Sequence, residues 1–223
     1  MGLGSQRVMG IGLPLLQQLT VSEFRAVVAH EFGHFHGGDT KLGPWIYKTR
    51  GALGRTLSNL HGAEQATSND GADESGIIAV VSIIIAVIRT PFSWFGSGFL
   101  RITQKISRQQ EYEADRLAAK VAGAEVMCSS LRRVHAGALG YQAYCNSELF
   151  PVLNQGFRPP IAEGFHTFMQ QERLIELIRE AVDEEMSSGE QDPYDSHPPL
   201  RQRIDALRSL PDATPDRDDR LAI

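Results

Sequence analysis

Apolar positions in this chain recur mostly at helical spacing, which predicts a mainly α protein with a minor β element at its N-terminus. Residues 6–13 read as a short apolar strand ending at Pro14. Thr20-Val21-Ser22-Glu23 then forms a capping box that opens a helix. Phe24, Val27, Val28, Phe32 and Phe35 mark one face of that helix, and Gly37-Gly38 end it. A second helix is expected from Pro44, carrying Trp45, Ile46, Leu53, Leu57 and Leu60. Further helical patterns cover 103–121, stopped at Gly123, then 125–148 and 166–187. Residues 188–196 read as a loop. A last helix starts at Pro198-Pro199 and runs to Leu210, with Leu200, Ile204 and Leu207 on one face. The charged tail 211–223 is expected to fray.

Two neighbouring stretches depart from this pattern. Residues 61–75 are polar, small and turn-rich, which predicts a loop. Gly76 to Ile88 carries no charge and is followed, after Arg89-Thr90-Pro91, by an aromatic stretch from Phe92 to Leu100. A bilayer-spanning helix needs about 20 apolar residues, so the uncharged run alone is too short, and Arg89 and Pro91 interrupt the longer one. A buried core helix and a membrane-embedded hairpin or interfacial helix both fit. No Asp or Glu occurs over 41–60 or 76–110, whereas Lys41, Lys48, Arg50, Arg55, Arg89, Arg101, Lys105 and Arg108 do. Basic residues beside apolar aromatic segments suit an anionic membrane surface.

Composition narrows the classes further. The 223 residues are 42% hydrophobic and 22% charged, ordinary for a chain that buries a core. The formal charge is −5, and no block of like charge suggests a nucleic-acid arm. The two cysteines, Cys128 and Cys145, lack C-x-x-C spacing and read as free thiols. The start shows no secretory signal and reads as entering a strand or turn midway, as in a piece of a longer protein.

The chemistry centres on His30-Glu31-Phe32-Gly33-His34, an H-E-x-x-H. On a helix, residues four apart are neighbours about 6 Å apart, so both imidazoles reach one tetrahedral Zn²⁺. Glu31 lies beside the metal, where a carboxylate can take a proton from the attacking water and deliver it to the leaving amine. A surface helix with a paired His is the plainer alternative, and the cap and apolar face weigh against it. A catalytic zinc needs a third protein ligand. Thr40 stands where a third histidine would follow in one zincin pattern, and Asp39 is one residue off a related aspartate position. Glu111-Tyr112-Glu113-Ala114-Asp115 is the best remaining source. Glu111 and Asp115 share a face with Ala118 and Ala122, whose small size permits close helix approach. Glu113 points elsewhere without being excluded. Asp115 can hydrogen-bond a ligating imidazole. On spacing alone the cluster also fits a solvated acidic face. His36, His61, His135 and His166 show no metal-like partners, and Trp45 and Trp94 suit core or interface anchoring.

Three runs carry a resemblance: Val28 to Phe35 with Asp39, Ser107 to Ala119 with Glu111 and Asp115, and His197-Pro-Pro-Leu-Arg-Gln-Arg203. In this order they resemble the HtpX and CAAX-prenyl-endopeptidase family of membrane zinc peptidases, over residues 6–210. The resemblance implies a zincin-like (gluzincin) domain binding one Zn²⁺ per chain through His30, His34 and Glu111. Glu31 is then the base, and Asp115 orients the site. It implies that His197 and Arg203 sit near the substrate and help stabilise the oxyanion. It implies a peptidase domain over 1–210 that lacks an upstream cleft-lining strand, with 76–100 as a membrane-associated insertion. A protein or peptide substrate is implied, as is a bacterial inner-membrane location with the site facing the cytoplasm. A zinc-stabilised membrane module without catalysis, and a soluble peptidase whose 76–100 is core, are the rival readings.

Overall fold

A computed structural model describes residues 8–36, 75–188, 197–211 and 217–223, with parts of 46–62. The described residues are mostly helical. They form α1 (Leu13–Leu16), α2 (Val21–His36), α3 (Ser75–Ala122), α4 (Ala124–Tyr144), a π-helical turn (Cys145–Leu149), α5 (Phe150–Asn154), α6 (Ile161–Phe168), α7 (Glu172–Ser188) and α8 (Leu200–Arg208). The chain divides into two compact units. One holds residues 1–37, 110–192 and 197–223, the other 38–109 and 193–196, with α3 contributing to both.

The described part of the strand expected over 6–13 takes another form. Residues 8–12 are irregular, and Pro14 sits in the first turn of α1, where its missing N–H costs no helix bond. An isolated strand leaves its backbone groups unpaired, and among the described residues β-type pairing is confined to a single antiparallel bridge between Thr20 and Leu221. That bridge corrects a second expectation, because residues 217–223 are held rather than frayed. Val21 N–H donates to Arg220 O at 2.8 Å, Ser22 N–H to Asp218 O at 3.2 Å, and Ala222 N–H to Leu19 O at 2.9 Å. The capping box closes the same helix end: Thr20 N–H donates to Glu23 Oε2 at 2.9 Å, and Glu23 N–H to Thr20 Oγ1 at 3.2 Å. Cap and tail together satisfy the donors that a helix start leaves open. Glu23 is buried, and its Oε1 also meets the Ser129 hydroxyl and, at 3.1 Å, Arg133 Nε, which ties α2 to α4.

The core of the first unit is built from Ala26 of α2, Ala118, Ala119 and Ala122 of α3, Met127 and Leu131 of α4, Val182 of α7, and Leu200, Ile204 and Leu207 of α8. The alanine row lets α3 lie close to its neighbours. Gly123, with φ of 95°, makes the sharp turn from α3 into α4 that a side chain would strain. A smaller cluster of Tyr144, Leu149 and Phe165 packs the π turn against α6. The helix expected over 125–148 passes through this π turn, and the one expected over 166–187 is broken between Phe168 and Glu172.

In the second unit α3 continues through Pro91 without a break, against the interruption expected at Arg89 and Pro91. Proline removes one intrahelical bond but its fixed φ suits a helix, and helical turns on both sides carry the chain across. From Ile83 this helix is long and apolar enough to cross a membrane by length and composition, and 6% of its most apolar window is buried. Ile84, Val87, Phe92 and Phe95 are exposed, and Trp94 is 78% exposed. Asp39, Thr40, Pro44, Trp45, His61 and nearly all of the expected 61–75 loop lie outside the described residues.

Candidate metal centre

Helix α2 carries His30 and His34 one turn apart, and the final turns of α3 carry Glu111 and Asp115 one turn apart. Gly33 is what lets these faces meet. A Cβ on it would lie 2.9 Å from Ala114 Cα and 3.1 Å from Ala114 Cβ, so only hydrogen fits between the two backbones. The H-E-x-x-H glycine and the alanine beside Glu111 are thus a packing pair.

The resulting cluster is compact. Ligand atoms of His30, His34 and Glu111 all lie within 4.8 Å of one another. His30 Nε2 and His34 Nε2 are 3.1 Å apart. Glu111 turns one oxygen to each ring, Oε2 to His30 Nε2 at 3.6 Å and Oε1 to His34 Nε2 at 3.6 Å. A tetrahedron with Zn–N bonds of about 2.0–2.1 Å has an edge of about 3.3 Å, so these separations suit donors around one ion. Glu111 Oε2 is buried and has charged neighbours but no hydrogen-bond partner, which leaves a lone pair for a cation. The donor set of two imidazoles and a carboxylate fits a divalent transition metal.

A second layer braces the first. His30 Nδ1 lies 3.0 Å from Asp115 Oδ1, which orients the ring so that Nε2 faces the cluster. Arg203 of α8 grips Asp115 with two bonds, Nε to Oδ2 at 2.8 Å and Nη2 to Oδ1 at 2.6 Å, and sets Nη1 3.3 Å from Glu111 Oε2. His197 is 61% exposed at its side chain, with Nδ1 3.1 Å from Glu111 Oε1. Tyr112 donates its hydroxyl to Gln202 Oε1 at 3.2 Å, a further tie between α3 and α8.

Burial works to raise the Glu111 pKa, but the hydrogen bond from His197 and the charges of Arg203, His197 and His30 outweigh it, leaving the carboxyl below its ordinary value. Asp115 behaves alike: burial opposes ionisation, and the contacts with Arg203 and His30 overcome it. Both groups are therefore carboxylates at neutral pH, the form that binds a metal or fixes an imidazole. Burial works against the Arg203 charge, and Asp115 more than compensates.

The structure brings His30, His34, Glu111, Asp115, His197 and Arg203 together. It separates the two glutamates the sequence left open, since the Glu113 side chain is 53% exposed and lies 3.7 Å from Arg116, outside the cluster. Glu31 is exposed on α2 and lines a cleft with Phe24, Val27 and Val28. Among the other histidines, His135 meets Glu185 Oε2 at 2.5 Å and His166 lies 2.8 Å from Gln170 Nε2. The twin grip of Arg203 on Asp115 was not foreseen from the sequence, although the spacing of His197 and Arg203 at the start of one helix was its signal.

An H-E-x-x-H helix facing a glutamate helix at metal-binding distance is the class of site that metallopeptidases use. The profile of Peptidase family M48 matches residues 1–211, and the chain belongs to that family. A Neisseria meningitidis protein named Protease HtpX homolog is 32% identical over 127 residues, covering 57% of this chain and 43% of that protein. Protease HtpX of Aliivibrio fischeri is 26% identical over 207 residues, covering 91% and 59%. Protease HtpX of Haemophilus influenzae is 28% identical over 211 residues, covering 92% and 60%. The chain thus spans between 43% and 60% of the length of these curated relatives. No solved structure matches it.

Proposed function

We propose that this chain carries the catalytic centre of a zinc-dependent metalloendopeptidase of the gluzincin type that acts on proteins or peptides at a membrane surface. The observation that carries the reading is the convergence of His30, His34 and Glu111 within 4.8 Å. Family membership and the named proteases among its relatives support it.

When bound, Zn²⁺ polarises the scissile carbonyl and lowers the pKa of water to about 7. His30 and His34 offer Nε2 atoms, and Glu111 a carboxylate. Asp115 holds the His30 ring by its Nδ1, so the ring keeps one tautomer and one orientation. The Glu31 carboxylate accepts the proton of the attacking water and returns it to the leaving nitrogen. His197, exposed beside Glu111, serves in this reading as the donor to the negative charge that develops on the carbonyl oxygen. Arg203 acts on the reaction through Asp115, which accepts from its Nε and Nη2, and through its charge beside Glu111.

The apolar, largely exposed stretch of α3 from Ile83 supports membrane association, with Arg89, Arg101, Lys105 and Arg108 suited to an anionic leaflet. The charge pattern supports a site on the cytoplasmic side of that membrane, and the bacterial relatives support a bacterial inner membrane.

The test is elemental zinc analysis with casein hydrolysis. Wild type and Glu113→Gln should bind one zinc per chain and cleave, Glu111→Gln should lose metal, and Glu31→Gln should keep metal and lose activity. Zinc retained by Glu111→Gln would overturn the ligand set. Metal bound without hydrolysis in wild type would favour a zinc-stabilised module. Phase partition in detergent reports the membrane reading separately, and recovery in the aqueous phase would remove it.

A further inference from the structure

A cavity of about 480 Å³ opens between the π turn, α5 and α6, and no residue of the candidate metal centre lines it. Its size falls in the range that holds a small organic ligand. Two wall residues are acidic, Glu148 of the π turn and Glu163 of α6, and both are exposed. Among the described residues neither carboxylate is in an ion pair, and no lysine, arginine or histidine lines the cavity. Tyr144 also lines it and is only 4% exposed. Its hydroxyl stands against Gly164, another wall residue, where even a Cβ would collide with it. Among the described residues that hydroxyl takes part in no hydrogen bond. A polar group on a buried side chain is rarely left without a partner, so an orphan hydroxyl in the wall of a cavity points to a ligand. Burial first, then Cys145 and Glu148, hold the phenol above its ordinary pKa, so it stays a neutral hydroxyl with lone pairs to offer. The π turn itself, a rare form met often at functional sites, supplies both Glu148 and Leu149 to the walls.

We infer that this cavity is a binding site for an organic cation, an ammonium or guanidinium group carried on an apolar stem. Glu148 and Glu163 meet the charge. Phe168 packs on Tyr144 with ring centroids 5.5 Å apart, so two aromatic rings line the same hollow and add cation–π attraction. The Tyr144 oxygen accepts one N–H of the cation, and Leu149, Val152, Pro159 and Pro160 cover the stem. An anion would meet two like charges and no cationic partner. A bare Ca²⁺ or Mg²⁺ takes about six or more oxygens, whereas these walls offer mostly carbon. A free amine and a lysine or arginine side chain of a polypeptide present the same group, and the test below separates them.

Titration calorimetry of the full chain with 2-phenylethylamine should show one saturable site. The matched alcohol, 2-phenylethanol, and the matched anion, 3-phenylpropionate, should bind about tenfold more weakly, the worth of two partly solvated charge contacts. Glu148→Gln and Glu163→Gln should each weaken the amine about two- to fivefold, and the double variant about tenfold. Tyr144→Phe removes only the orphan oxygen. It should weaken the amine about twofold or more and leave the melting temperature unchanged. Glu180→Gln, at an exposed glutamate of α7 outside the cavity, should bind as wild type. Acetyl-Ala-Lys-Ala-amide distinguishes the sources. If it binds and Glu148→Gln weakens it, the cation is one carried on a polypeptide. If only the amine binds, the ligand is a free amine. No saturable binding of either up to roughly 10 mM, equal binding of amine and alcohol, or an unchanged double variant would overturn the inference. So would a loss with Glu180→Gln as large as with Glu148→Gln, which marks attraction to the net negative chain alone. Every readout is binding, so the result stands apart from the peptidase reading.

Discussion

Arg203 and Asp115 share two parallel hydrogen bonds, Nε to Oδ2 at 2.8 Å and Nη2 to Oδ1 at 2.6 Å, across 88 positions of sequence. The pair is bidentate and largely buried, the geometry in which arginine has no equivalent. Asp115 in turn orients His30, so α8 reaches the proposed metal ligand through one carboxylate. Asp115→Asn keeps the shape but loses the charge that holds both partners, and Arg203→Lys loses the fork. Each should weaken zinc binding about 10–100-fold, read by competition with a chromogenic chelator, while far-ultraviolet circular dichroism stays near wild type. Unchanged affinity in both would remove the bracing role.

Gly33 meets Ala114 backbone to backbone, and this contact sets the distance between the histidine and glutamate helices. Gly33→Ala inserts a methyl group 2.9 Å from a Cα that cannot rotate away. The expected cost is about 1–3 kcal/mol, typical of overpacking, with a matching loss of metal affinity as Glu111 moves from the imidazoles. Ala114→Gly removes only the Cβ contact at 3.1 Å and should rescue in part. Thermal melts of the single and double variants check this, and a Gly33→Ala melt equal to wild type would show that the helices have slack.

The cluster of His30, His34 and Glu111 was legible because its determinants are local. The capping box fixes the start of α2, the i,i+4 spacing stacks His30 over His34, and Glu111 and Asp115 share a face by the same arithmetic. Preferring Glu111 to Glu113 rested on family resemblance, because the approach of Glu111 to both imidazoles is a tertiary feature that spacing does not show. The tail was misread for the opposite reason. Its residues look like a solvated terminus, and what holds them is the backbone of Thr20, Val21 and Ser22, two hundred positions away and silent in side-chain pattern. Pro91 was overread as a break, since its local penalty was weighed without the helix on either side.

Removing residues 217–223 should therefore destabilise a remote helix start. It frees Val21 and Ser22 N–H groups and takes away the Asp218 N–H bond to Ser22 Oγ at 2.7 Å. Water replaces these partners in part, so the loss should be about 1–3 kcal/mol, or a few degrees in Tm for a chain of this size. A truncated chain melting with wild type would show that the capping box suffices.

The same tail carries a carboxyl that makes a local, pH-dependent contribution. The side-chain and backbone hydrogen bonds of Arg220 hold the Asp218 pKa at about 2, below its ordinary 3.8. A depressed carboxyl contributes stability that is complete above its unfolded value and is lost as pH falls through the folded one. The stability gap between wild type and Asp218→Asn should accordingly hold at pH 5 and close between about pH 4 and pH 2. Carbon-13 titration of the Asp218 carboxyl checks the cause, and a midpoint near 4 would contradict it.

Cys128 gives a prediction at the alkaline end. Burial pushes its thiol up to about 11, with Glu125 adding to the shift and Arg208 and Arg132 opposing it. The thiolate is the reactive form, so Cys128 should resist alkylation at pH 8 in the folded protein. Cys145 is half-buried in the π turn and should label first. One thiol per chain is expected to react natively and two after denaturation, with peptide mass mapping to assign them. Because the folded pKa lies above the ordinary 9.0, the contribution of the neutral thiol is complete below 9.0 and is lost as pH rises through the folded value of about 11. Stability should fall as pH rises from about 9 toward 11, and Cys128→Ala should lose that slope while keeping the rest of the profile. Rapid native labelling of both cysteines would instead mean that the α4–α8 seam, where Cys128 Sγ lies 4.0 Å from Ile204 O, opens readily.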